Sequence, residues 1–368
     1  MIRLQLLLTL LLLPACGSSK HEAPPSPDHE GSGHATGASG YVPAPLQDAR
    51  EKHLRNIRQL TFGGENAEGY FSSDGKKLVF QARGGTTGFD CDQIFEFDLA
   101  SNRTRLVSTG KGRTTCAYYH DGDRRILYAS THLGGDDCPE EPDHSQGYVW
   151  PLYDTYDIFS CPVGDPTDLT RLTSTPGYDA EATTCYANDR IVFTSVRDGD
   201  IELYSMDGKG GDVRRLTDSV GYDGGAFFSS DGAWLVWRAQ VFADEAEVAD
   251  YKRLLAKGLV RPTRMEIFVG HADGSGRRQV TSNGKANFAP FFLPDNRRVI
   301  FASNLEGPRT FHLYVVGVDG EGLERITWSS EFNSFPMFSP DGKYLVFASN
   351  RANARPRETN LFLAEWVD

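Results

Sequence analysis

Polar and acidic side chains recur at one place in this chain. Asn66, Arg113, Asp179, Asp223, Asn287 and Asn333 precede six related turns at matching offsets, and Glu68, Thr115, Glu181, Gly225, Ala289 and Phe335 follow two residues later. A side-chain period of two places both sets on one side of an extended strand. If six such strands meet at an axis, Asn66, Glu68, Arg113, Asp179, Glu181, Asp223, Asn287 and Asn333 form a ligand-binding funnel at the mouth of a channel. Carboxylates and amides gathered in this way suit a hard cation such as Ca²⁺, or the cationic end of a peptide. No bound cofactor is required by any motif. Asp179, Glu181 and Asp223 are also the residue types of lyases and glycoside hydrolases, whose carboxylate pairs carry no sequence signature. Equally, such groups cap strand ends and hold channel water. The chain has no Cys-x-x-Cys, no His-Glu-x-x-His, no Gly-x-Ser-x-Gly and no phosphate-binding loop, so it offers no standard catalytic residue set and leaves any metal unassigned.

The elements that position these residues come from a repeat. A Leu-Thr-like pair begins at Leu60, Leu106, Leu172, Leu216, Val280 and Ile326. Each copy continues with an aromatic-rich strand, a turn such as Asp74-Gly75 or Asp341-Gly342, a buried triplet such as Leu78-Val79-Phe80 or Leu345-Val346-Phe347, and a further apolar strand. Asp, Asn and Gly accept the positive φ of hairpin turns. Four strands and a period of about 45 residues read as a β-propeller. The fold is therefore expected to be all-β, with six four-stranded antiparallel blades near 58–105, 106–169, 170–214, 215–277, 278–324 and 325–368. The last copy stops after its third strand, and Leu54 to Leu60 would supply the fourth, closing the ring with the N-terminal strand.

Two copies are about 20 residues longer, between their second and third strands. The first insert, Leu133 to Tyr156, has acids Asp136, Asp137, Glu140, Glu141 and Asp143, then aromatics Tyr148, Trp150, Tyr153 and Tyr156. It suits a cation, peptide or sugar, or else folds over its blade as a small core of its own. The second, Val241 to Arg264, contains a helix starting near Asp244, with Val248, Tyr251 and Leu255 on one face that should dock on the body. Both inserts use the same connection, so both should lie on one propeller face and flank a recess.

The stretch from Phe338 to Asn350, Phe-Ser-Pro-Asp-Gly-Lys-Tyr-Leu-Val-Phe-Ala-Ser-Asn, resembles the repeat of the TolB C-terminal propeller, and the resemblance runs over about residues 54–368. TolB-like propeller proteins also resemble this chain in the segment from Thr131 to Tyr153, in Gly221-Tyr222-Asp223-Gly224-Gly225 and in Gly258-Leu259-Val260-Arg261-Pro262. On this resemblance, the N-terminal domain of TolB is expected to have no counterpart in these residues. The resemblance implies a six-bladed scaffold and supplies no reaction.

Ahead of the repeats, Arg3 and the apolar run Leu4 to Leu13 have the form of a secretory signal, too short to span a membrane comfortably. Leu13-Pro14-Ala15-Cys16 resembles a bacterial lipobox. This implies a signal over residues 1–15 and lipidation of Cys16, and Gly17 in place of Asp implies the outer membrane. Residues 16–53, rich in Pro, Gly, Ser and His, read as a flexible tether. Of the six cysteines, five follow Cys16. In an exported protein disulfides are permitted, and Cys91 and Cys138, in matching connections of adjacent blades, are the first pair to consider. Spacing alone does not fix the pairing, and an odd number leaves a thiol over. The net charge of −12 without a basic stripe excludes a nucleic-acid partner and leaves the lipid as the sole membrane contact. The expected function is an envelope-associated propeller that binds a protein or peptide in the periplasm. The alternative is a polysaccharide lyase or glycoside hydrolase using the funnel acids.

Overall fold

The Leu-Thr pair of every copy fastens a blade. Its hydroxyl accepts the backbone N–H at the start of the third strand: Thr61 from Leu361 (2.8 Å), Ser108 from Ile94 (2.9 Å), Thr173 from Ile158 (2.9 Å), and Thr217, Thr281 and Thr327 from Leu203, Ile267 and Leu313 (2.8 Å each). A short outer strand stops before that N–H is paired, and a buried unpaired N–H is costly, so a hydroxyl is retained there in all six copies.

The computed structural model describes residues 43–145 and 147–368. From the axis outward, blade 1 comprises Glu65–Phe71, Lys77–Arg83, Gln93–Asp98 and Arg103–Leu106. Blade 2 comprises Thr114–His120, Arg125–Ser130, Asp157–Pro162 and Thr170–Arg171. Blades 3, 4 and 5 have inner strands Asp179–Thr184, Asp223–Phe228 and Asn287–Phe292, each the first of four antiparallel strands. Blade 6 has Asn333–Phe338, Tyr344–Ser349 and Asn360–Trp366, and its outer strand is Leu54–Gln59, paired as Leu54↔Trp366 and Gln59↔Phe362. The inner strands neighbour one another in a closed ring. The chain is thus an all-β six-bladed propeller, and no inter-blade edge is left open. Central strands are apolar on both faces because sheets pack on either side: Leu78, Val79, Ile126, Leu127, Val299 and Ile300 are fully buried. Among the described residues there is one α-helix, α1 (Glu245–Leu255), and no helix is long and apolar enough to cross a membrane.

The signal, Cys16 and the first part of the tether lie outside the described residues. The part of the tether from Ala44 to His53 is docked instead of free. Glu51 and Arg351 are both fully buried and paired at 2.9 Å, and Glu51 also accepts the N–H groups of Trp328 and Ser329. The Ala44 and Leu46 carbonyls accept from Ala352 N–H and Arg351. The composition of the segment suggested a solvated linker, but one buried ion pair fixes its end.

Candidate functional site

Every inner strand carries a bulge at the same step, where the register shifts and φ becomes positive: Glu68 (54°), Cys116 (52°), Glu181 (55°), Gly225 (60°), Ala289 (46°) and Phe335 (53°). A bulge breaks the alternation of side chains. The two rings expected to share one side of the strand are therefore separated. Only the bulge ring lines the axis, where with Tyr70, Thr183, Phe227 and Arg238 it borders a void of about 30 Å³, room for water.

The other ring turns away from the axis, into its own blade or the seam with the preceding one. Asn66 donates to the Gly63 and Thr359 carbonyls (2.9 and 3.0 Å), and Asn287 donates to the Met265 carbonyl (2.7 Å). Asn333 accepts from Ser349 and Arg351 at 2.9 Å each. Asp179 takes Arg197 at 3.0 and 3.1 Å. Asp223 accepts from Trp237 Nε1 (2.8 Å) and Ser219 (2.9 Å), with Arg277 at 3.3 Å, and burial pushes its carboxyl up to about 6. In blade 2 the position belongs to Thr114, which donates to the Asp92 carbonyl (3.0 Å), and the bulge belongs to Cys116. Arg113 and Thr115 were one residue out of step, because the Asp-Gly turn of that blade comes one residue early relative to its strand pairing. Arg113 points toward the first insert and pairs with Glu141.

One charge on the axis comes from outside both rings. Arg238, on the second strand of blade 4, reaches the axis through the gap at Gly225, where a Cβ would collide with its guanidinium. It donates to Glu181 and to the Tyr222 hydroxyl (2.7 Å); Glu181 also accepts from Tyr222 and from Thr194 (2.8 Å). A guanidinium therefore sits where a bound cation was expected, and its charge faces the funnel acids. The signal was present in sequence: the matching positions hold Gln81, Ala129, Thr194, Ala302 and Ala348, and only the arginine faces a Gly224-Gly225 pair. Glu68 is the odd acid. Its Oε2 is buried without a partner, and burial pushes its carboxyl up to about 7, with the Cys116 thiol as its neighbour.

Side chains pack over both ends of this chamber. Toward the Asp-Gly turns, Tyr70, Tyr118, Phe227 and Phe291 pack with ring centroids 5.4–6.2 Å apart, and Tyr186 donates to the Phe71 carbonyl at 2.6 Å. On the other face the two inserts pair with each other, Trp150–Pro151 against Leu259–Val260, in a two-stranded ladder that spans blade 3. Trp150 covers Arg238 at 5.5 Å and touches Phe288 of blade 5 at 5.4 Å. Val260 of the ladder packs with Tyr156, Tyr178, Tyr222 and Tyr251 in a separate apolar cluster. Asp244 caps α1 by accepting the Ala246 and Glu247 N–H groups, and Tyr251 donates to Asp200 of blade 3. Cys91 and Cys138 are joined in a disulfide that ties the first insert to blade 1, and Cys116, Cys161 and Cys185 are free thiols. Among the described residues no group of three or more His, Cys, Asp and Glu side chains is placed to hold a metal ion.

Residues 252–357 match the family described as the TolB beta propeller domain. The matched stretch begins in α1 and runs through blade 5 into blade 6. Solved structures share the propeller fold. TolB from Acinetobacter baumannii is 15% identical with a TM-score of 0.52, over 71% of this chain and 53% of that one, so this chain spans about half of that protein. A putative TolB from Agrobacterium tumefaciens is 16% identical with a TM-score of 0.54, over 83% and 91%. An oligogalacturonate lyase in complex with manganese is 14% identical with a TM-score of 0.51, over 84% and 80%. At these identities the likeness is one of fold. No curated protein matches the chain.

Proposed function

We propose that this TolB-type propeller is a lipid-anchored scaffold facing the periplasm, which binds an envelope protein or peptide on the face that carries its inserts. One observation carries this reading: the axial void is small and overlain by the paired inserts, and apolar side chains are displayed around them. Phe62, Leu133, Tyr148 and Val220 are the exposed large apolar residues of the inserts and blade-to-blade loops, with Tyr148 65% and Phe62 67% exposed. Aromatic residues on a rigid surface are the usual anchors of protein interfaces. The lyase or hydrolase alternative needs open carboxylates, and Asp179, Glu181 and Asp223 are each buried against a basic or hydroxyl partner. The test is affinity capture from cross-linked envelopes with the tagged full chain. Tyr148→Asp with Leu133→Asp should lose the partner, and Leu323→Asp on the opposite face should keep it. Retention by the insert variant, or glycan turnover by the purified protein, would overturn the reading. The anchor is tested separately: Cys16→Ser should move the protein from the membrane fraction to the soluble one.

A further inference from the structure

The acidic part of the first insert does not wave in solvent. Lys111 pairs with Asp136 at 2.8 Å, and the Asp136 carbonyl accepts the Gly112 N–H at 2.8 Å. Arg113 pairs with Glu141, and Arg83 lies 3.7 Å from the same carboxylate. Tyr153 donates to the Glu140 carbonyl at 2.8 Å, and between the two acids Cys138 is bonded to Cys91. Three basic side chains from blades 1 and 2 thus hold one acidic stretch of backbone across the rim of the channel. The ion pairs are on the surface, where such pairs hold weakly. Arg113 retains capacity: its side chain is 14% exposed, and its Nε is buried with no partner. Asp92 lies near Arg83 and Arg113, and burial raises its carboxyl while the two guanidinium groups lower it. Glu65 shares Arg83 at 2.8 Å and leaves Lys111 and Arg113 to the insert.

We propose that Lys111, Arg113 and Arg83 form a docking site for an acidic peptide segment of a partner protein, and that Asp136–Glu141 occupies that site in the resting molecule. This names the partner chemistry for the scaffold reading above and rests on it. The strap shows what the site accepts: an extended acidic segment with carboxylates five residues apart. A partner must displace it, and the disulfide raises the local concentration of the competitor. The charge pattern makes binding sensitive to salt.

The probe is a fluorescein-labelled peptide with the sequence of residues 135–144 and Ser in place of Cys138, Gly-Asp-Asp-Ser-Pro-Glu-Glu-Pro-Asp-His, followed by anisotropy on the full chain. The wild type should bind it weakly. The variant Asp136→Asn with Glu141→Gln keeps the disulfide and should bind roughly 10-fold tighter, because the competitor has lost its charges. Adding Lys111→Ala and Arg113→Ala should abolish the gain, as should an Asn/Gln version of the peptide. Cys138→Ser should mimic the release; if that variant fails to fold, the disulfide-intact variant decides. Equal binding to wild type and released protein, binding indifferent to Lys111 and Arg113, or no binding to the released protein would each overturn the proposal. A failure here with loss of the captured partner in the Tyr148→Asp, Leu133→Asp variant would refute this site and leave the scaffold standing.

Discussion

Replacing Glu68 by Gln should make the propeller more stable at neutral pH and leave it unchanged in acid. Glu68 stands at a bulge on the channel axis, with Oε2 buried and unpartnered. Burial raises its pKa from 4.5 to about 7, the neighbouring Glu181 adds to the rise, and the Cys116 thiol and Arg238 oppose it. In the unfolded chain the carboxyl ionises near 4.5, whereas in the folded chain it keeps its proton until about pH 7. Between those values the folded state binds one more proton than the unfolded state, so stability falls as pH rises, by about 1.4 kcal/mol per unit. The cost is absent below pH 4.5 and levels off above pH 7, at about 3 kcal/mol in total. A glutamine keeps the shape and removes the titration. Urea unfolding of both proteins from pH 4.5 to 8 should give superimposable curves at the acid end. By pH 8 a gap of about 3 kcal/mol should open in favour of the variant, roughly 4 °C in Tm for a domain of this size. Glu202 and Asp223 also titrate upward through burial, but they are common to both proteins and cancel in the difference. A difference that does not change with pH would refute the reasoning. A loss of stability in the variant at every pH would show that the carboxyl is ionised and held by Arg238.

Removing the Cys91–Cys138 bond, which joins residues 47 apart, should cost about 4 kcal/mol on the chain-entropy argument, read as a lower urea midpoint for the Cys91→Ser, Cys138→Ser double variant. Glu51→Ala leaves Arg351 buried without its counter-charge and should cost about 3–5 kcal/mol in the same assay; a cost under about 1 kcal/mol would mean that the docked N-terminal segment contributes little. Gly225→Ala should cost about 1–3 kcal/mol, because the new Cβ meets the Arg238 guanidinium. The same change made on Arg238→Ala should cost much less, and additive costs in that double-mutant cycle would show that the two residues are not in contact.

The propeller was legible because each copy repeats the groups that solve the same local problem. A hydroxyl at Thr61, Thr173 or Thr327 satisfies one N–H, and Asp-Gly turns reverse the chain, so the pattern survives wherever the backbone does. The closing strand followed from the same count, and Leu54–Gln59 occupies it. The site was less legible because it depends on departures from the pattern. Period-two reasoning cannot anticipate a bulge, and Glu68 and Asn66 are separated by that single positive φ. Arg238 enters from a neighbouring strand through a missing Cβ, and pairing across the sheet is not written in any one segment. The ladder between Trp150–Pro151 and Leu259–Val260 is two residues long and joins segments more than a hundred positions apart, below what strand patterning detects.

The ring closure has a consequence for how the molecule is made. Leu54–Gln59 is synthesised ahead of every blade, yet its only sheet partner among the described residues is Asn360–Trp366. Until that partner emerges, the first strand has nothing to pair with, and Glu51 waits for Arg351 in the same way. Contacts of such long sequence separation form late and slowly, since the closure entropy is met before any contact repays it. Blades 1 to 5 can assemble in order as the chain is delivered. Blade 6 is then a finishing step, and a chain truncated short of residue 360 leaves its first strand without its partner.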